Sequence, residues 1–146
     1  MSQVLIATHS TLAEGFAQAV RFFKADADNV RFLNGYVAST EFERELRAAL
    51  DELPADGGPV VVCTDIPGGS VNQVAMRLAD EYGFLLVSGV NMPLLLELAF
   101  EDEPTYESLA QSVASARAQL MLPLADIPML EGDAPGAGDD EDGEEL

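Results

Sequence analysis

Short apolar, β-branched runs alternate along the chain with longer stretches whose apolar residues recur at helical spacing. The first run is Val4-Leu5-Ile6-Ala7, and behind it Leu12, Phe16, Ala19, Val20 and Phe23 fall on one helical face. A second strand is predicted over residues 30–37, then a helix over 40–53 with Phe42, Leu46, Ala49, Leu50 and Leu53 inward and Ser39 or Thr40 as its cap. Residues 59–64 read as a buried strand, 70–82 as a helix with Val71, Val74, Ala75, Leu78 and Tyr82 inward, and 84–87 as a fourth strand. Helices near 93–100 and 106–121 complete the pattern. Hydrophobic strands alternating with helices imply a parallel sheet covered on both faces, so the expected fold is a small doubly wound α/β domain.

The pattern stops short of the end. Residues 122–130, with Pro123 and Pro128, fit no element and are expected to form an extended arm of a domain spanning 1–130. Residues 131–146 carry eight acidic side chains, no basic one and no aromatic one, too little apolar surface to fold, and read as a disordered acidic tail. The tail sharpens an imbalance already present, since the whole chain of 146 residues has a formal charge of −19. Neither nucleic-acid phosphates nor an anionic membrane surface attracts such a chain, and a basic protein partner fits better. No apolar run approaches the roughly 18 residues of a spanning helix, so no membrane insertion is expected and the location expected is the cytoplasm. The single cysteine, Cys63, lies in the apolar run that begins at Pro59, where burial is the ordinary expectation, and it receives no functional role.

In an open parallel sheet, ligands bind beyond the carboxyl ends of the strands, where the strand order reverses. Two loops compete for that place: Thr8-His9-Ser10-Thr11 after the first strand, and Asp65-Ile66-Pro67-Gly68-Gly69-Ser70 after the third. In the common order 2-1-3-4 these strands are neighbours and the loops meet. The only histidine would then stand beside Asp65, with the first turns of two helices offering free backbone N–H groups to an anion. A neutral imidazole is nucleophilic near physiological pH, and a carboxylate on one ring nitrogen fixes the tautomer that leaves the other free. His9 with Asp65 is therefore a candidate phosphoryl acceptor. Gly68 and Gly69 let backbone approach a phosphate, Ser10 follows the histidine, and the Ser70 hydroxyl can either cap the helix or donate to a phosphate oxygen. Each residue also has an ordinary explanation: a solvated histidine, a turn before a helix, an aspartate cap. Only their joint placement distinguishes the two. No second histidine and no cysteine pair completes a zinc set, so neither a metal nor a cofactor is expected.

Over roughly residues 3–121 the sequence resembles the mannose-family IIA domains of the bacterial phosphoenolpyruvate-dependent sugar phosphotransferase system. The resemblance rests on three segments in order: Val4-Leu5-Ile6-Ala7-Thr8-His9-Ser10; Val62-Cys63-Thr64-Asp65-Ile66-Pro67-Gly68-Gly69-Ser70 with Asn72; and Ser88-Gly89-Val90-Asn91-Met92-Pro93-Leu94-Leu95. It implies a phosphotransferase with a phosphohistidine intermediate: His9 is phosphorylated by the carrier HPr and donates to a IIB component for sugar uptake, with Asp65 as its orienting partner. It also implies a homodimer, in some members with an exchanged C-terminal strand, a place that residues 122–130 could take. Two positions depart from the family pattern, Ser10 where glycine often follows the histidine and Val71 where proline often follows Gly-Gly-Ser. The serine after His9 is also similar to the phosphotransfer subunit of the dihydroxyacetone kinase system, which stands as an alternative, as does a regulatory module switched by modification of His9. The third segment is read with equal weight as a turn with Pro93 at a helix start.

Overall fold

The computed structural model describes residues 2–126; the acidic tail predicted over 131–146 and the last part of the predicted arm, 127–130, lie outside them. Its elements run β1 (Gln3–His9), α1 (Leu12–Phe23), β2 (Val30–Gly35), α2 (Phe42–Asp51), β3 (Val60–Thr64), α3 (Ser70–Tyr82), β4 (Leu85–Ser88), α4 (Met92–Phe100), α5 (Tyr106–Arg117) and the single turn α6 (Pro123–Asp126). Leu122 and Leu124, at the start of the predicted arm, are exposed.

All strand pairs are parallel, in the order β2-β1-β3-β4. Successive side chains of a strand point to opposite faces, and β1 divides its residues accordingly. Val4 and Ile6, joined by Val61 and Cys63, pack against Ala13, Ala17 and Val20 of α1, Leu94, Leu95 and Leu98 of α4, and Leu109 and Ala116 of α5. Leu5 and Ala7, with Val62, face Phe42, Leu46 and Leu50 of α2 and Val71, Ala75 and Leu78 of α3. The predicted doubly wound α/β sandwich is thus the observed one. Cys63 is fully buried, and burial pushes its thiol up to about 12, so it stays protonated and inert.

Two local expectations need correction. The buried stripe of α1 is Ala13, Ala17 and Val20, while Leu12 and Phe23 are 47% and 62% exposed. Val20 is buried and Phe16 packs on the core as the spacing predicts, but Ala13 and Ala17 make the closest approach to the sheet, and Leu12 and Phe23, at the ends of the helix, stand at its rim. Neither predicted cap serves α2: its N-cap position is Glu41 with no side-chain cap bond, and Ser39 Oγ accepts from the Glu41 N–H in the preceding turn.

The C-terminal end of β2 is pinned tightly. Gly35 pairs with His9 across the strands, its carbonyl accepts from the Ser10 N–H at 2.9 Å, and a Cβ there would stand 2.9 Å from the Thr8 carbonyl oxygen and 3.0 Å from the Phe42 ring. Backbone cannot yield as a flexible side chain would. Gly35→Ala is expected to cost about 1–3 kcal/mol by overpacking, read as a lower urea midpoint at unchanged slope.

Candidate active site

The reversal of strand order falls between β1 and β3, and there the two predicted loops do meet. His9 is the last residue of β1 and Asp65 the first after β3. One carboxylate oxygen, Asp65 Oδ2, accepts from the His9 backbone N–H at 2.9 Å and lies 2.9 Å from the imidazole Nδ1. The other, Oδ1, accepts from the Ile66 N–H at 3.0 Å. Asp65 is therefore committed to His9 and its own loop, not to capping α3.

Partial burial by itself raises the carboxyl group toward its neutral form. The N–H donors of His9 backbone, His9 ring and the loop outweigh it and hold Asp65 below its ordinary value of 3.8. An ionised carboxylate only accepts, so the ring nitrogen beside it carries the proton. The tautomer follows: Nδ1–H faces Asp65, and Nε2 presents its lone pair outward. Asp65 is largely covered, with 9% of its side chain exposed, while the His9 side chain is 39% exposed.

Ser70 supplies the next contact. Its Oγ lies 3.2 Å from His9 Nε2 and accepts from the Tyr36 hydroxyl at 3.0 Å. Of its two roles read from sequence, capping is not adopted, because the N-cap of α3 is Gly69 and carries no side-chain cap bond. The approach of α3 to the ring depends on glycine: a Cβ on Gly69 would sit 3.3 Å from the Ile66 carbonyl oxygen and 3.5 Å from His9 Cε1. Gly68 has φ +79°, the left-handed conformation that glycine adopts without strain. Its carbonyl accepts from the Gln73 side chain, and the Gly69 N–H is used by the Ile66 carbonyl. The helix start itself leaves its first amides, Ser70 to Asn72, without intrahelical acceptors, the first intrahelical bond being that from the Gln73 N–H to the Gly69 carbonyl.

The expectation of two open helix starts is corrected for α1. The Ala13 N–H donates to Thr8 Oγ1 at 2.7 Å and the Glu14 N–H to Asn34 Oδ1 at 3.2 Å, so strand-end side chains occupy them. They dock α1 onto the sheet. Ser10 adopts φ +57°, which accounts for the frequent glycine at this family position, and its N–H is held by Gly35; its exposed hydroxyl is the part left facing solvent.

The segment 89–93 braces the site from behind. The N–H groups of Gly89 and Val90 both donate to the Thr64 carbonyl, Asn91 caps α4 by accepting from the Leu94 N–H at 3.1 Å, and Pro93 stands in its first turn. Thr64 Oγ1 donates to buried Asn72 Oδ1 at 3.0 Å, tying the end of β3 to α3 and so fixing Asp65 relative to Ser70.

Two loops were expected at this place, and the structure brings a third. Tyr36, just past β2, stacks on His9 with ring centroids 5.6 Å apart and planes at 25°. The signal was available, because the order 2-1-3-4 makes β2 the other neighbour of β1. An aromatic residue in a loop carries no chemical motif to single it out.

A sheet of this order, with an imidazole at one strand end and a helix start beside the next, defines a small doubly wound α/β domain whose candidate site lies at the switch point. The family model described as PTS system fructose IIA component matches residues 3–116, and the chain belongs to that family. It is thereby a phosphotransferase component of a sugar phosphotransferase system. The PTS system mannose-specific EIIAB component of Escherichia coli K12 is 30% identical over 112 residues, which cover 73% of this chain and 34% of that protein. The PTS IIA protein associated with the fucose utilization operon of Streptococcus pneumoniae superposes with a TM-score of 0.71 at 31% identity, covering 83% of this chain and 92% of that one. A candidate sugar phosphotransferase system permease from Klebsiella pneumoniae reaches 0.75 at 26% identity, covering 87% and 94%. Among the described residues, no helix is long and apolar enough to cross a membrane.

Proposed function

We propose that His9 is the phosphoryl carrier, accepting the group at Nε2 from HPr and passing it to a IIB component in the cytoplasm. The observation that carries this reading is the 2.9 Å pairing of Nδ1 with Asp65, which in the neutral ring places the proton on Nδ1 and leaves the Nε2 lone pair for attack. The Nε2 lone pair forms the N–P bond while the bond to the donor's leaving group breaks, and that group departs with the electron pair. Nδ1 keeps its proton throughout, and Asp65 stabilises the positive charge that develops on the ring. Ser70 Oγ and the first amides of α3 receive the phosphoryl oxygens, with the exposed hydroxyl of Ser10 and the turn at Gly68 and Gly69 completing the cradle.

The surroundings suit a protein donor. Leu12, Tyr36, Val37 and Ile66, which follow the strand ends, are all exposed, so the histidine stands on an open, partly apolar rim. Incubation with phosphoenolpyruvate, enzyme I and HPr, followed by intact mass, tests the reading: one added phosphoryl group supports it, and none with an active HPr refutes it.

The family resemblance extends the proposal to a homodimer. β4 stands at the edge of the four-stranded sheet, beside a cavity of about 550 Å³ lined by Leu86, Tyr106, Leu109 and Val113 among others. An open edge next to apolar surface is a template for pairing with a further strand. Leu120, Leu122 and Leu124, which follow α5 in the chain, are exposed and favour that use. Light scattering is expected to give twice the monomer mass; a monomer at every concentration would overturn the dimer without touching the chemistry.

A further inference from the structure

We propose that Tyr36 is a positioning residue for phosphoryl transfer, acting through Ser70 on the lone pair of His9 Nε2. The inference rests on the carrier reading above and adds a residue that this reading does not require.

Its first support is an alignment of donors. With Nδ1 protonated toward Asp65, Nε2 is an acceptor, so the single Ser70 hydroxyl proton points to it across 3.2 Å. Ser70 Oγ then has only lone pairs to offer elsewhere, and the Tyr36 hydroxyl donates into one of them at 3.0 Å. Tyr36, Ser70, His9 and Asp65 thus form one chain of hydrogen bonds running in one direction, in which each bond polarises the next. Remove the tyrosine hydroxyl and the Ser70 proton loses its preferred direction.

Its second support is the conformation that holds the ring. Tyr36 has φ +63°, in the left-handed region that a residue with a side chain adopts at a conformational cost. The offset is visible in the stack: the Tyr36 ring lies between His9, at 5.6 Å, and Phe42, at 5.7 Å, both with interplanar angles of 25°. Phe42, the first residue of α2, is 2% exposed and anchored in the core. A buried ring thus supports a half-exposed one, which in turn covers one face of the imidazole and brings its hydroxyl to Ser70. When Nε2 becomes bonded to phosphorus its lone pair is used, and the Ser70 proton turns to a phosphoryl oxygen. The Tyr36 bond then helps Ser70 donate to that oxygen as it did to the nitrogen.

The test is a double-mutant cycle on the intact chain with Tyr36→Phe, Ser70→Ala and both together, read by two measurements. The first is the rate of phosphoryl acceptance from HPr. Tyr36→Phe keeps the stack and is expected to slow acceptance by about fivefold, the size of one lost hydrogen bond, and to add nothing in the Ser70→Ala background. The second needs no phosphoryl donor: the ¹⁵N resonance of His9 Nε2 in the neutral ring. It is expected to move in Tyr36→Phe toward its position in Ser70→Ala. A loss from Tyr36→Phe that is equal with and without the Ser70 hydroxyl, or an Nε2 resonance unmoved by Tyr36→Phe, would overturn the relay. A wild-type chain that takes no phosphoryl group from an active HPr would defeat the carrier reading and with it the role of Tyr36 in transfer, whereas a resonance that still moves in Tyr36→Phe would show that the hydrogen-bond relay itself exists.

Discussion

His9→Ala is expected to abolish phosphoryl labelling while leaving the fold intact. The strand pairing around residue 9 is made by backbone, and the His9 N–H that donates to Asp65 survives the substitution. The lost ring is partly exposed, so only the ring contacts to Asp65, Ser70 and Tyr36 disappear. Circular dichroism should be unchanged and the melting temperature should move by no more than a few degrees. The label on the wild-type chain should be lost in acid and kept in base, which separates a phosphoramidate from serine or threonine esters. His9 is the only imidazole in the sequence, so no second histidine can take over. Label that persists in His9→Ala would end the phosphohistidine reading.

Asp65→Asn is expected to slow acceptance by about a hundredfold or more. The reason lies in what surrounds the carboxylate: two donors from His9 on Oδ2 and one from Ile66 on Oδ1. An amide has one acceptor and cannot serve both sides. With its oxygen toward His9, the NH₂ group meets the Ile66 N–H; turned the other way, it meets the His9 N–H and draws the ring into the tautomer that protonates Nε2, the nitrogen required to attack. Either orientation also removes the charge that stabilises the ring as it becomes cationic. Stability has a defined sign with pH. Because the folded value lies below 3.8, the carboxylate contributes above that pH and the contribution is lost as pH falls through the lowered value. Denaturant midpoints of wild type and Asp65→Asn should therefore differ at neutral pH and converge in strongly acidic solution. A transfer rate in Asp65→Asn equal to wild type would reduce Asp65 to a loop anchor.

How much of this was legible in the chain differs by element. Helix α3 was read with its observed ends, because Gly68-Gly69 before it and Gly83 after it punctuate a clear apolar period. The pairing of His9 with Asp65 was also legible, since each directly follows the apolar run of a strand or ends it, and a single strand order brings those ends together. The buried face of α1 was legible only in part: Phe16 and Val20 pack inward, but Leu12 and Phe23 do not. Apolar character marks what can be buried, whereas the distance between helix and sheet selects alanine at the contact and leaves larger residues at the rim. The supposed second open helix start failed for a similar reason: Thr8 and Asn34 reach the α1 amides only because β1 and β2 end side by side.

By itself, then, the sequence determined the alternation of strands and helices, the two-sided core and the pair of residues proposed to carry the chemistry. All three follow from periodicity and from residue type at a strand end, which are local properties. Tertiary structure decided which hydrogen-bonding groups are spent on the fold and which are left open at the strand ends. It freed the Ser70 hydroxyl from capping, occupied the Ala13 and Glu14 amides at the start of α1, and set Tyr36 over the imidazole beside a core phenylalanine. The hydrogen-bonded outcomes depend on distances of about 3 Å between residues far apart in the chain, the range over which a hydrogen bond is made or lost, and the stack on ring positions that only the packed fold sets.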